Sequence, residues 1–312
     1  MNSRRTLSLL AWSMLSAVVV VVSSGAVVRA TNSGAGCGES WPRCDQQLFP
    51  IPDSVEQLIE FTHRLLTTGL VLGGVALIVV ARRILGRQDP VTRAAIVAFA
   101  FLIFESMLGA SLVLFGWVDQ DASIGRLIVV PLHLFNTFAL IAAYALTAWR
   151  AAGRSDFSIA EAGHRGRTLM FGLVTLLVIA GLGALNALAD TLFPADSLES
   201  AFREEFQTAA PFLLQVRVLH PLVAIAGGLG IVWIVRYLSI GMSDSARKRG
   251  RTIVWLVVAQ FGVGLINIAL LTPLELQVIH LLLADLLWIA YLFYVFEATV
   301  PRVVEKPVEV SV

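Results

Sequence analysis

Glu60-Phe61-Thr62-His63-Arg64 stands at the mouth of an apolar run, Leu65 to Val80, in which no residue is charged. Three ionisable side chains at the edge of hydrocarbon are costly unless they are partnered. Glu60 and His63 are three apart and share one face of a helix. With its flanks the stretch reaches from about 58 to 81, long enough to cross a bilayer. Seven more stretches of that kind fall at about 7–29, 94–116, 127–149, 167–189, 212–236, 252–271 and 275–298. Only Leu271-Thr272-Pro273-Leu274 separates the last two, so a tight turn is expected there. The pattern predicts an all-α polytopic membrane protein with eight transmembrane helices.

Composition agrees. Of the 312 residues, 57% are hydrophobic and 14% charged, against about 25% charged in a soluble domain. Mean hydropathy is +0.80. A net charge of +1, with no basic face interleaved with aromatics, gives no reason to expect a nucleic-acid partner. Met1 to Ala30 begins like a signal peptide, with Arg4 and Arg5 ahead of an apolar core. Its apolar run, Leu7 to Val28, is nevertheless long enough to span, and it is read as a retained first helix. Eight spans put both termini on one side. The connections on that side hold the arginine clusters at 82–93, 150–167 and 236–251, with Arg4, Arg5, Arg302 and Lys306; the opposite connections hold only Arg29, Arg43, Arg126 and Arg203. The positive-inside bias makes the termini cytoplasmic.

Four of the five histidines then fall into place. His63, His133, His220 and His280 lie on the second, fourth, sixth and eighth spans, each within about two turns of the outer start. His164, in a basic cytoplasmic connection, is a solvated bystander. The two halves repeat. Gly25 to Thr31 echoes Gly183 to Ala189, Glu105 with Gly109 echoes Gln260 with Gly264, and His133-Leu134 echoes His280-Leu281. Two pseudo-symmetric four-helix bundles are therefore expected, an N-terminal half at 1–150 and a C-terminal half at 151–312, related by an axis along the membrane normal.

A lone histidine in a span is more often a helix–helix hydrogen bond than a ligand. Four at matching depth, two in each half, point the other way. Neutral imidazole binds iron well, and two facing helices can hold a flat macrocycle between axial histidines. Haem suits the setting, because its ring is apolar and its propionates reach the polar boundary. Gly109, Gly264 and the Gly227-Gly228 pair would allow close approach of a helix or a ring, or simply tight packing. The halves also differ. Three residues before His63 stands an acid, Glu60; three before His220 stands a base, Arg217. Arginine beside a haem pairs with a propionate. A carboxylate there would repel propionates, so Glu60 is the candidate catalytic group, able to move a proton or stabilise positive charge; pairing with Arg64 alone is its plain alternative. The expectation is a reactive site in the first half and a holding site in the second. Cys37 and Cys44, the only cysteines, flank six residues of an outer connection. A disulfide is allowed there, as a staple or as a redox pair.

Gly36-Cys37-Gly38-x-x-Trp41-Pro42-x-Cys44, Glu60-x-x-His63-Arg64 and a histidine on each even span resemble haem A synthase over about residues 10–298. The resemblance implies oxidation of a methyl group of haem O to the formyl group of haem A by successive hydroxylations, for cytochrome oxidase, in the bacterial cell membrane. It implies a haem b whose iron is held by His220 and His280, a substrate haem at His63 and His133, and Glu60 as the acid needed for turnover. Cys37 and Cys44 would serve electron delivery or maintenance of the site. Haem O synthase and cytochrome oxidase assembly factors are the implied partners, and the electron donor is not identified. Two departures stand out. The connection at 190–211 lacks the second cysteine pair that some family members carry, and Glu105 occupies the position that matches Gln260. The rival readings are a di-haem membrane cytochrome that only transfers electrons, and a transporter gated by the charged cluster.

Overall fold

The computed structural model describes residues 2–205, 212–240 and 242–301. Among these residues the chain forms nine helices: α1 Asn2–Ala30, α2 Val55–Leu85, α3 Pro90–Leu114, α4 Ile124–Ala151, α5 Gly163–Leu192, α6 Leu198–Glu205, α7 Phe212–Leu238, α8 Asp244–Ala269 and α9 Leu274–Ala298. All except α6 are long and apolar enough to cross a membrane. Each expected span is present. The helices run a turn or so beyond the apolar stretches because polar residues at their ends satisfy the terminal N–H groups. Ser54 Oγ accepts from Gln57 N, Asp89 caps α3 ahead of Pro90, and Ser123 and Ser243 cap α4 and α8. The α8–α9 turn is as tight as expected, with Leu271 and Thr272 both at positive φ. Arg302 and Lys306, used above for orientation, lie outside the described residues, as do 206–211 of the 190–211 connection. Helix α6 was not anticipated: its eight residues are mostly polar and give no spanning signal.

The packing follows the repeat. In the first half α1 packs on α2 and α4, and α3 packs on α2 and α4. In the second, α5 packs on α7 and α9, and α8 packs on α7 and α9. The halves meet through α1 with α9, α4 with α5, and α4 with α9. Exchanging α1, α2, α3 and α4 for α5, α7, α8 and α9 turns each of these pairings into another of them. A two-fold-like arrangement of that kind puts α4 and α9, the last helix of each half, on the shared face. Trp288 Nε1 on α9 donates to the Phe138 carbonyl on α4 at 2.9 Å. Pro131 on α4 and Pro221 on α7 sit inside their helices, two residues before His133 and one after His220. Each removes one ladder hydrogen bond beside an imidazole.

Arg29 fastens the halves at the end bearing the 31–54 connection. From α1 it donates to the Ala187 carbonyl at 2.7 Å and Thr191 Oγ1 at 2.8 Å on α5, and to Gln277 Oε1 on α9 at 2.9 Å. Asp190 lies close enough to compensate its charge. Breaking a buried, charge-assisted set by removing one partner costs about 3–5 kcal/mol. Arg29→Ala is therefore expected to lower the thermal midpoint of the detergent-solubilised protein, read by a melt of the tryptophan signal, while Arg203→Ala, in an exposed pair with Glu199, leaves it unmoved.

Candidate functional site

The connection that follows α1 folds back on the start of α2. Gly36 has no room for a side chain: a Cβ would meet the Glu56 carbonyl and Gln57 N within 2.7 Å. Cys37 and Cys44 are disulfide-bonded with Cα atoms 4.4 Å apart, and both are buried. The sequence left open whether this bridge forms; in the structure it does. Glu60 reaches into this loop. Its side chain is almost fully buried, and Oε2 accepts from Cys37 N at 2.7 Å. Oε1 accepts from Arg64 Nε at 3.1 Å and is also met by Arg64 Nη2. Arg64 Nη1 donates to the Ser40 and Arg43 carbonyls at 2.7 and 2.5 Å. Glu60 thus stands one helical turn from His63 with both oxygens engaged, and the plain pairing with Arg64 is present. Beside the loop, the Asp119 carboxyl is pushed up by burial, an effect the Arg126 guanidinium opposes.

All four imidazoles are half-buried, and each lies against a glycine of the preceding spanning helix. A Cβ at Gly25 would meet His63 Cε1 at 3.2 Å, at Gly109 His133 Cε1 at 3.9 Å, at Gly183 His220 Cε1 at 3.0 Å, and at Gly264 His280 Cε1 at 3.1 Å. At Gly25, Gly183 and Gly264 a larger residue would press on the ring of the facing histidine, whereas at Gly109 a methyl group would make an ordinary contact. Gly109 and Gly264, read from the sequence as allowing close approach of a helix or a ring or as plain packing, lie against imidazoles of the next spanning helix. Gly227 and Gly228 do serve packing, against Ile179, Thr175, Phe261 and Val257. Within each half the two rings are neighbours, His63 with His133 and His220 with His280.

The partners of the rings differ. His63 Nδ1 lies 2.7 Å from Ser24 Oγ, and His133 Nδ1 lies 3.2 Å from Glu105 Oε1. A neutral imidazole that donates from Nδ1 offers Nε2 as a ligand. The Nδ1 atoms of His133, His220 and His280 are all buried without a well-formed hydrogen bond among the described residues; His133 differs in having the Glu105 carboxyl group at 3.2 Å, and the Ile179 backbone is the polar group beside the His220 ring. Gln260 Nε2 lies 3.3 Å from His280 Nε2 and donates to the His280 carbonyl at 3.1 Å. His280 would offer Nε2 to iron once the Gln260 amide withdraws, because Nδ1 is buried toward Gly264. Arg217 does not stand open to an anion: Nε lies 3.1 Å from Asp190 Oδ1, and Nη2 donates to the Phe193 carbonyl at 2.8 Å. A propionate there would compete with Asp190.

Among the described residues no three histidine, cysteine or acidic side chains converge on a common point. The imidazoles come as pairs. Two nitrogen donors do not satisfy a bare transition metal, but they complete one that arrives with four equatorial ligands of its own. The donor set, with its orphaned ring nitrogens, fits haem. Ser24, Arg29 and Asp190 carry part of this arrangement and were not singled out as site residues in the sequence. Asp285 was missed as well; it is fully buried on α9 with neither oxygen partnered among the described residues.

The model of the COX15-CtaA family, described as cytochrome oxidase assembly protein, matches residues 8–292. The chain belongs to this family. A Thermus thermophilus protein named protoheme IX farnesyltransferase is 42% identical over 286 residues, covering 91% of this chain and 47% of that protein. The heme A synthase of Halalkalibacterium halodurans is 37% identical over 99 residues, 32% of this chain and 33% of the relative. That of Bacillus licheniformis is 28% identical over 167 residues, 52% of this chain and 51% of the relative. The chain thus spans about half the length, or less, of these relatives. Membership in this cytochrome oxidase assembly family and eight apolar helices make it a multi-pass membrane protein.

Proposed function

We propose that the chain is a haem A synthase that oxidises a methyl group of haem O to a formyl group, with haem b as its resident cofactor. The observation that carries the reading is the pairing of four half-buried imidazoles, each backed by a glycine, in a protein of this family. His220 and His280 would hold haem b, and Arg217 would share its guanidinium between Asp190 and a propionate. Haem b, when bound, supplies one-electron redox chemistry. His63 and His133 would hold the substrate haem. Both termini are taken as cytoplasmic from the charge bias, which puts the histidines in the outer leaflet.

Glu60 acts as an acid–base group in this scheme. Two hydroxylations of one methyl carbon, each taking one oxygen atom from dioxygen while two electrons and two protons from a donor reduce the other to water, give a geminal diol, which loses water to become the aldehyde. That loss needs a proton moved between two oxygens, a task suited to a carboxyl group held in place. Cys37 N and Arg64 fix the carboxyl a turn from His63. The Cys37–Cys44 bridge serves here as a staple, because burial of both sulfurs restricts attack by an outside thiolate. The Thermus relative's name supports a place directly after the farnesylation of protoheme, with a haem O synthase and oxidase assembly factors as partners. That name belongs to the whole Thermus protein, of which the match is less than half.

One observation favours a second reading. Both Glu60 oxygens are engaged within the protein, as they would be in a di-haem electron carrier whose acid only ties down a loop. Co-expression with a source of haem O, followed by chromatography of the extracted pigments, separates the two. Haem A is expected; unchanged haem O alongside a haem-loaded protein would leave the carrier.

The glycines give a graded prediction. In Gly183→Ala the new methyl group sits 3.0 Å from His220 Cε1, so the ring must give way. Haem b affinity is expected to fall by about tenfold, the lower end of the cost of misorienting a ligand. In Gly109→Ala the contact is an ordinary 3.9 Å, and binding is expected to hold. Haemin titration of the purified variants, followed by absorbance, checks both.

A further inference from the structure

The two imidazole pairs differ in what stands behind them. In the first half each Nδ1 meets a polar side chain of the preceding helix, Ser24 for His63 and Glu105 for His133. The repeat makes Leu182 the counterpart of Ser24, each one residue before the glycine that faces the ring. It makes Gln260 the counterpart of Glu105, each four residues before such a glycine. Leucine offers no hydrogen bond, and Gln260 presents an amide nitrogen. Among the described residues, only one of the four imidazoles therefore has a carboxylate at its Nδ1.

Glu105 is itself held in place. Asn136 Nδ2 donates to Glu105 Oε2 at 2.5 Å and to the Phe101 carbonyl at 3.0 Å, which uses both amide hydrogens. The Thr137 hydroxyl meets Oε1. Asn136 and Thr137 lie three and four residues after His133, on the same face of α4. The Asn136 amide and the Thr137 hydroxyl, which also reaches the His133 carbonyl, thus hold a carboxyl group whose Oε1 lies 3.2 Å from the His133 ring nitrogen.

We propose that Glu105 is a positioning residue for the first-half haem, which makes His133 the more electron-donating axial ligand and lowers the reduction potential of iron held there relative to iron held by His220 and His280. A carboxylate on the outer nitrogen of a ligating imidazole fixes the tautomer and raises ligand basicity. A more basic ligand would stabilise the oxidised iron of a haem held there, which lowers its reduction potential. Methyl oxidation belongs to the half with the stronger donor; electron holding belongs to the half with the amide. The inference rests on the haem placement proposed above and explains why an acid stands where the repeat has a glutamine.

The test exchanges the two residues. Glu105→Gln and Gln260→Glu are purified, loaded with haemin at both sites and titrated potentiometrically with absorbance readout. His220→Ala, which empties the second half, assigns the two midpoints. Glu105→Gln should raise the first-half midpoint and leave the second in place. Gln260→Glu should lower the second-half midpoint, and it decides the question if Glu105→Gln does not accumulate. Haem-loaded variants with unmoved midpoints, or with both midpoints moved alike, would overturn the role of Glu105 and leave the haem placement standing. A wild-type protein that takes up no haem would overturn both.

Discussion

Replacing His220 or His280 with alanine is expected to give a protein that inserts and folds but carries no haem b. The reason is arithmetic of ligands. Two imidazoles complete the coordination of a haem iron, and alanine supplies nothing in place of either. Each ring lies against a glycine and is not the hub of a hydrogen-bond network, so its removal costs the fold little. The second-half Soret and α-band contributions should disappear. His63→Ala should spare them, because His63 lies in the other pair. A His220→Ala,His280→Ala double variant with full haem b would show that the second half holds its haem elsewhere.

The second large effect is expected at Glu60. Glu60→Gln keeps an oxygen able to accept from Cys37 N or Arg64, so the disulfide loop should stay in place and haem b should be retained. Conversion of haem O should fall by about a hundredfold or more, the usual contribution of a positioned acid–base group. Glu60→Ala is the less clean variant. It leaves the Cys37 N–H and the Arg64 guanidinium without their acceptor, each at a cost of about 1–3 kcal/mol. Extraction of haem O, or of a hydroxylated haem, from cells carrying the glutamine variant would fit the catalytic role. Normal haem A from the same cells would reduce Glu60 to a loop anchor.

Much of this was legible from the chain alone, for identifiable reasons. Spanning helices declare themselves by length and hydropathy, and all eight appear. The four histidines were conspicuous because an ionisable side chain in a span is rare. The repeat was visible in the spacing of Glu105 and Gly109 against Gln260 and Gly264, and the helix pairings respect it. What stayed hidden depends on contacts between residues distant in sequence. Arg29 reads as a charge at the end of a span, yet it reaches Gln277, 248 residues away. Arg217 reads as an open cation, yet Asp190 of α5 holds it. Ser24 is one more small residue in an apolar helix until His63 is placed beside it. Helix α6 is short, with only Leu198, Ala201 and Phe202 as apolar residues, too little to announce a span. Glu105 was noticed as an exception; its meaning required the geometry of His133, Asn136 and Thr137.

The central claim is that the four imidazoles are iron ligands in two pairs. An absorbance spectrum of the purified wild-type protein, with haem content per chain, tests it most directly. A Soret band that sharpens on reduction, with a haemin-loaded stoichiometry of two that falls to one in His220→Ala, is the predicted result. A colourless protein that takes up no haemin, with all four histidines intact, would contradict it.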